Sequence, residues 1–320
     1  MKKLNKKILI TGGAGYIGQN LIGFFLKKKY QIYVIDNLST SVPLNSDIKK
    51  NVSFYKIDLG IENKAKLFFK NRNFDLIIHL AAWSGVQEFN KNVLKSFNNN
   101  VLATKNLVRF AFQKKNTKLI FASSAAVYGK VSRDKISEKN DCQPANYYGF
   151  SKLVSENIIN YALQNNKNNY AILRYFNVVG SIVDFKIKKK INSLMDIISN
   201  KIKRKKYKIN VNGRNYDTVD GTPERDFIHI NDLCKIHEKT YKYLGKNKKI
   251  VLNCGSGVRY SVLKVIKAFE KKIKKKFQIT YKIVNSDETQ TICSNINQLK
   301  NLLKMNIEKK KINDLIKDYL

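Results

Sequence analysis

Through the first half of the chain, apolar residues fall in short runs separated by segments of helical spacing. Runs near residues 7–11, 32–35, 53–57, 75–80, 118–122 and 170–174 have strand length, and apolar positions between them recur every three to four residues. Alternation of this kind up to about residue 176 predicts an α/β fold built on a doubly wound parallel sheet. The strand-to-helix turns then share one edge of the sheet, where chemistry collects. Beyond Asn177 the rhythm fails. A basic helical stretch, about 191–205, leads to the turn-rich NGRNYDTVDGTPERD, the apolar FIHI, a helix from Asn231 and a buried strand, IVLNCG, at 250–255. The division expected is residues 1–176 as a first domain and 177–320 as a smaller C-terminal lobe, with 228–254 returning to the first. No linker or repeat separates them, and a cleft between them is the expected substrate site.

The first strand runs into glycines at 12, 13, 15 and 18, in ILITGGAGYIG. Such a turn brings backbone N–H groups close to a pyrophosphate, and the helix from about Tyr16 presents its positive end to the same anion. The second strand, IYVID, ends in Asp36, eighteen residues after Gly18. An acidic side chain there can accept hydrogen bonds from ribose hydroxyls. Asn37, Leu38, Ser39 and Thr40 follow, with no Arg for a 2′-phosphate, which favours NAD over NADP. The first domain is thus read as a Rossmann-type NAD-binding fold. Asp58, His79 and Ser123-Ser124 fall on the same sheet edge; for Asp58 and His79, ligand contact and capping or packing at a strand end are both open.

Tyr148 and Lys152 stand four apart, so a helix points phenol and ammonium the same way. A neighbouring cation is expected to lower the phenol pKa and make the tyrosine a usable acid or base. Of 17 tyrosines only Tyr148 and Tyr260 have Lys four residues on, and only Tyr148 follows a serine-bearing strand end, FASSAAVYG. Ser124 can share a hydrogen bond with the phenol and a reacting alcohol.

Composition narrows the remaining classes. With 43% hydrophobic residues and three Pro, 320 residues form a full core. The four Cys and three His are scattered, which indicates neither a disulfide frame nor a metal site. The apolar run behind the basic MKKLNKK breaks at Thr11, too short for a signal core or a membrane span, and a cytoplasmic location is expected. The net charge of +37 is spread along the whole chain. It is read as solvated surface rather than a specific nucleic-acid site, although runs at 186–190, 201–208 and 271–276 are denser.

Together the glycine turn, the serine and Tyr-x-x-x-Lys resemble the extended short-chain dehydrogenase/reductase family. DNLST, SSAAVYG, LRYFNVVG, DGTPERDFIHINDL and NCGSG narrow the resemblance to its UDP-glucose 4-epimerase branch and extend it over nearly the whole chain. The resemblance implies Tyr148 as general base, Lys152 as its electrostatic partner and ribose anchor, and Ser124 as helper. It assigns Gly12, Gly15, Tyr16, Ile17, Gly18, Asp36, Asn37, Asp58, Leu59, Ala81, Asn100 and Ser123 to NAD. Tyr175, Asn177 and Arg225 would meet the UDP-sugar, with Arg225 either clamping the diphosphate or paired to Asp226. Ile292 would be the residue limiting room beside the sugar, or an ordinary core residue. No metal is implied.

The reaction implied is C4 epimerisation through a transient 4-keto sugar, in a homodimer formed by helices near 88–113 and 147–166. A UDP-N-acetylhexosamine or UDP-pentose 4-epimerase is the nearest alternative. A 4,6-dehydratase is disfavoured because Ala125 and Ala126 leave no carboxylate beside Ser124, and a non-catalytic NAD-binding protein because Ser124, Tyr148 and Lys152 are intact. Ser84, the 181–191 loop and Asn285-Ser286-Asp287-Glu288 depart from the family pattern.

Overall fold

A computed structural model describes residues 6–83, 92–113, 116–131, 135–164, 168–182, 193–246, 249–282 and 289–320. Seven strands form one parallel sheet: β1 (Lys7–Thr11), β2 (Gln31–Asp36), β3 (Ser53–Lys56), β4 (Leu76–His79), β5 (Lys118–Ser124), β6 (Tyr170–Tyr175) and β10 (Lys249–Cys254). Their order is β10-β6-β5-β4-β1-β2-β3, so the chain winds outward both ways from the β1/β4 boundary. Both faces are covered, and successive residues of one strand therefore enter different cores. Ile8 and Ile10 pack with the helices Tyr16–Leu26 and Ile230–Tyr243, whereas Leu9 faces the helices Glu62–Phe69, Val93–Ala111 and Tyr147–Leu163. This explains why the strands read as continuous apolar runs.

β10 lies 74 residues after the end of β6 yet pairs with it in register, from Lys249 opposite Tyr170 to Cys254 opposite Tyr175. The remaining strands are short. β9 (Glu224–His229) pairs with β7 (Asn177–Val179), β11 (Arg259–Ser261) and β13 (Thr291–Ile292), and β8 (Lys208–Asn212) pairs with β12 (Gln278–Lys282). Met195, Ile198, Val211, Phe227, Ile266 and Phe269 form a separate core beneath them. The β8–β12 pair brings the basic runs 201–208 and 271–276 side by side on the surface, while 186–190 lies outside the described residues.

The four cysteines are free, and no group of His, Cys, Asp and Glu among the described residues could hold a metal. No helix among them is long and apolar enough to cross a membrane.

Candidate active site

The site opens along the C-terminal ends of β1, β2, β4 and β5. Gly12 adopts φ +68°, and a Cβ there would meet the Ala81 backbone nitrogen at 2.7 Å. At Gly18 a Cβ would meet the Gly13 Cα at 2.6 Å. The glycines therefore let the turn pack backbone against backbone, and not only bend. The helix beginning at Tyr16 has Gly15 as its N-cap and no side-chain capping bond. Its N-terminus lines the pocket and presents its positive end to an anion there.

Gly12, Gly15, Tyr16, Ile17 and Gly18 line this pocket with Asp36, Asn37, Asp58, Leu59, Ala81 and Ser123. Asp36 is buried at its mouth. One carboxylate oxygen accepts from Ala14 N at 3.0 Å, the other from Leu38 N and Ser41 Oγ, both at 2.8 Å. Asp58 bridges Asn37 Nδ2, at 3.1 Å, and Gly60 N, at 2.8 Å, and also faces the pocket. Tyr16 donates to the Gly180 carbonyl at 2.5 Å, tying the glycine turn to the smaller lobe.

The same pocket is lined by Tyr148 and Lys152, from the helix Tyr147–Leu163, and by Ala122 from β5. Asn146 caps this helix through Gly149 N, fixing where Tyr148 points. Tyr148 bonds the Ser124 side chain, and Ser124 Oγ accepts from Ala126 N at 3.2 Å. Lys152 donates to the Ala122 carbonyl at 2.7 Å and lies over the Phe121 ring.

Electrostatics differ from the sequence expectation. Burial pushes the Tyr148 phenol up to about 12, with the Ser124 hydrogen bond only partly offsetting it. Burial also pulls Lys152 down to about 7, against the opposing effect of Glu156. The expected lowering of the phenol by its cation is therefore not what this geometry gives. Both groups lose water, and desolvation disfavours phenolate and ammonium alike.

The other candidate residues have partners within the protein. His79 is buried between Thr11 Oγ1, at 2.7 Å, and Thr104 Oγ1, at 3.0 Å. Burial holds it neutral, at about 3, and it packs rather than faces the pocket. Asn100, assigned to the cofactor, is buried and bonded to a residue of the pocket wall. It accepts from Trp83 N at 2.8 Å and donates to Trp83 O at 3.2 Å, because its short amide satisfies both groups of one residue. It therefore pins Trp83, which lines the pocket.

Tyr175 presents its ring to the pocket, but its hydroxyl is bonded to His237 Nε2 at 2.7 Å. Asn177 is exposed on β7 and donates to the Asp226 carbonyl at 3.2 Å. Arg225 is half-buried on β9 and donates to the carbonyls of Glu224 and Gln290. Its neighbour Asp226 faces the other side of the strand, accepting from Ser256, Gly257 and Ser294. Ile292 lies opposite Arg225 in the β9–β13 register and packs against the cluster holding Phe176 and Val127. It is not in the pocket wall. Ser84, 183–191 and 285–288 lie outside the described residues.

Sequence reasoning missed Trp83, Ser41 and Glu156, and named Asp226 only as a possible partner of Arg225. For Glu156 a signal existed, a second four-residue step after Lys152.

The profile of the NAD dependent epimerase/dehydratase family matches residues 8–255. The chain belongs to this family. It is 33% identical to the UDP-glucose 4-epimerase of Dictyostelium discoideum over 89% of this chain and 86% of the relative. Among solved structures it is similar to the UDP-glucose 4-epimerase of Bifidobacterium longum in complex with NAD+ and UDP, with a TM-score of 0.89, 29% identity, and 98% and 96% of the two chains covered. It is also similar to the UDP-Glc/GlcNAc 4-epimerase of Campylobacter jejuni, with a TM-score of 0.83, 33% identity and 98% of each chain covered. The family's cofactor fits the residues present. An uncapped helix terminus, a turn without room for a Cβ and a buried Asp36 at the next strand's end suit a dinucleotide.

Proposed function

We propose that the protein interconverts UDP-glucose and UDP-galactose by inverting C4 of the sugar, with NAD resident in the pocket. The observation that carries this reading is Tyr148, hydrogen-bonded to Ser124, lining with Lys152 the same pocket as the glycine turn and Asp36. Membership of an epimerase/dehydratase family and relatives of this activity support it. Gly12, Gly15, Gly18, Asp36 and Asp58 would hold the dinucleotide, and Lys152 its nicotinamide ribose. Bound NAD supplies a hydride acceptor that is also the donor, and in its oxidised form a positive charge that favours the phenolate.

Tyr148 takes the C4 hydroxyl proton, and Ser124 holds the phenol and the sugar oxygen in line. Loss of proton and hydride makes C4 planar. Return of the hydride to the opposite face of C4, and of the proton to O4, inverts it, so atoms balance and no net oxidation occurs. Lys152 acts by its charge and by its bond to Ala122, which fixes the helix against β5.

Arg225, Asn177 and Tyr175 are read as the nucleotide-sugar side of the site, in a lobe spanning 177–320 from which 228–254 returns to the first domain. A guanidinium already oriented by two carbonyls is suited to diphosphate oxygens. Ile292, half-buried against the cluster holding Phe176, is read as the residue beside the sugar, where a side chain smaller than Tyr would leave room for an N-acetyl group as a second activity. A cytoplasmic homodimer completes the reading. Leu94, Leu102, Tyr147, Phe150 and Tyr161 are exposed on the two helices Val93–Ala111 and Tyr147–Leu163 and suit a partner surface.

Proton NMR of UDP-galactose incubated with purified protein tests the activity. Appearance of the UDP-glucose anomeric signal is expected. An unchanged spectrum with NAD bound would reject the function while leaving the fold intact.

A further inference from the structure

Three turns of the Tyr147–Leu163 helix engage three consecutive residues of one strand. Tyr148 bonds Ser124, Lys152 donates to the Ala122 carbonyl at 2.7 Å, and one turn further the buried Glu156 accepts from the Ser123 hydroxyl. Steps of four keep the three side chains on one face. Glu156 is gripped at both oxygens by Arg174, with Nε to Oε1 at 3.0 Å and Nη2 to Oε2 at 2.7 Å. Arg174 lies opposite Ser123 in the β5–β6 register. Its third nitrogen donates to Tyr128 at 2.9 Å, and Tyr128 donates to Asn253 at 2.7 Å.

A buried carboxylate is tolerable beside its guanidinium. Charge closure alone, however, does not explain why the pair stands one turn from Lys152, the one buried lysine among the described residues. We propose that Glu156 is a positioning residue for the Tyr148–Lys152 pair. Fixed by Arg174, it locks the end of β5 to the helix through Ser123 and supplies the negative charge that keeps the Lys152 ammonium charged in the pocket wall. This rests on the reading of Tyr148 and Lys152 as the catalytic pair.

The groups facing this face from neighbouring elements are few. His79 on β4 is neutral, Arg174 on β6 is cationic, and Tyr128 and Cys142 keep their protons through burial. Glu138 lies beyond Tyr128, and its Oε1 accepts from Asn253 N at 2.7 Å. Glu156 is the acidic group that bears on Lys152 directly, opposing the burial that pulls it down to about 7.

The test compares wild type with Glu156→Gln and Glu156→Asp as holoenzymes. In Glu156→Gln the alkaline fall of kcat/KM should move down by about one pH unit, a tenfold loss at the top of the range. Glu156→Asp should restore most of the profile. Independently of turnover, trace acetylation of lysines followed by peptide mass spectrometry should show the Lys152 labelling midpoint moving to lower pH. If Glu156→Gln fails to fold, Glu156→Gln/Arg174→Gln leaves two neutral amides able to bond each other and should move the midpoint down by a smaller amount, because the opposing Arg174 cation is lost with the carboxylate. An unchanged Lys152 midpoint in the folded variant overturns the proposal. Wild type that never turns over a UDP-sugar, with the midpoint shift present, overturns the functional reading instead.

Discussion

Alanine at Gly18 and alanine at Gly15 should behave differently, although both sit in the same turn. A Cβ at Gly18 meets the Gly12 and Gly13 carbonyl oxygens at 2.7 Å, where ordinary contact begins near 3.4 Å. The neighbours are backbone, so relief requires moving the turn by about 0.7 Å. Overpacking of this kind costs about 1–3 kcal/mol, partly offset by the gain of up to about 1 kcal/mol for Ala over Gly in a helix. A net loss of about 1–2 kcal/mol is expected. The displaced N–H groups should also lose at least one charge-assisted bond to a pyrophosphate, about 1.5–3 kcal/mol or roughly 10–100-fold in NAD affinity. At Gly15 the nearest contact is 3.3 Å, to the Gly12 carbonyl oxygen, so stability should stay within about 0.5 kcal/mol. Urea unfolding of nucleotide-free protein and nucleotide released by acid from the purified variants measure both quantities. Gly18→Ala with full NAD content and a wild-type midpoint would refute the close packing of the turn.

Tyr148→Phe should keep NAD and lower the epimerisation kcat by about 10²–10⁴, because it removes the oxygen and keeps the ring; retention of kcat, with loss instead in Tyr260→Phe, would move the chemistry elsewhere. His79 and His237 are buried neutral, held at about 3 and about 4. Below pH 6.5 the unfolded chain binds protons that the folded chain refuses, so stability should fall as pH drops from 6.5 towards 4, by about 1.4 kcal/mol per pH unit for each histidine. His79→Gln should reduce that slope in urea titrations by about one proton, and an unchanged slope would contradict the assignment. Ile292→Tyr should suppress turnover of UDP-N-acetylgalactosamine more than that of UDP-galactose, read by NMR with both substrates; equal loss of both would make Ile292 a packing residue only.

The parallel sheet was legible because its strands are buried on both faces and leave continuous apolar runs such as Leu76–Ile78 and Leu119–Ala122. The glycine turn and the Tyr148–Lys152 spacing were legible because backbone geometry and helical period are local properties. The smaller lobe was not. Its strands β7, β11 and β13 have three, three and two residues and exist through pairing with β9, a tertiary event. The bonds by which Asn100 holds Trp83 were not legible, since only the fold reveals that the two lie together. The protonation of Tyr148 was misjudged for a related reason. The charge four residues away is visible in sequence, whereas the burial that raises the phenol, opposed only in part by the Ser124 hydrogen bond, comes from packing in the fold.

The most direct test of the account follows the hydrogen at C4. UDP-galactose deuterated at C4 is incubated with the purified protein in ordinary water, and the UDP-glucose formed is examined by NMR and mass spectrometry. Removal and return of the same hydride inside a closed site predicts product that retains the deuterium at C4, with no added nucleotide required. Product with deuterium lost to solvent, or no product from protein that carries NAD, would contradict the claim.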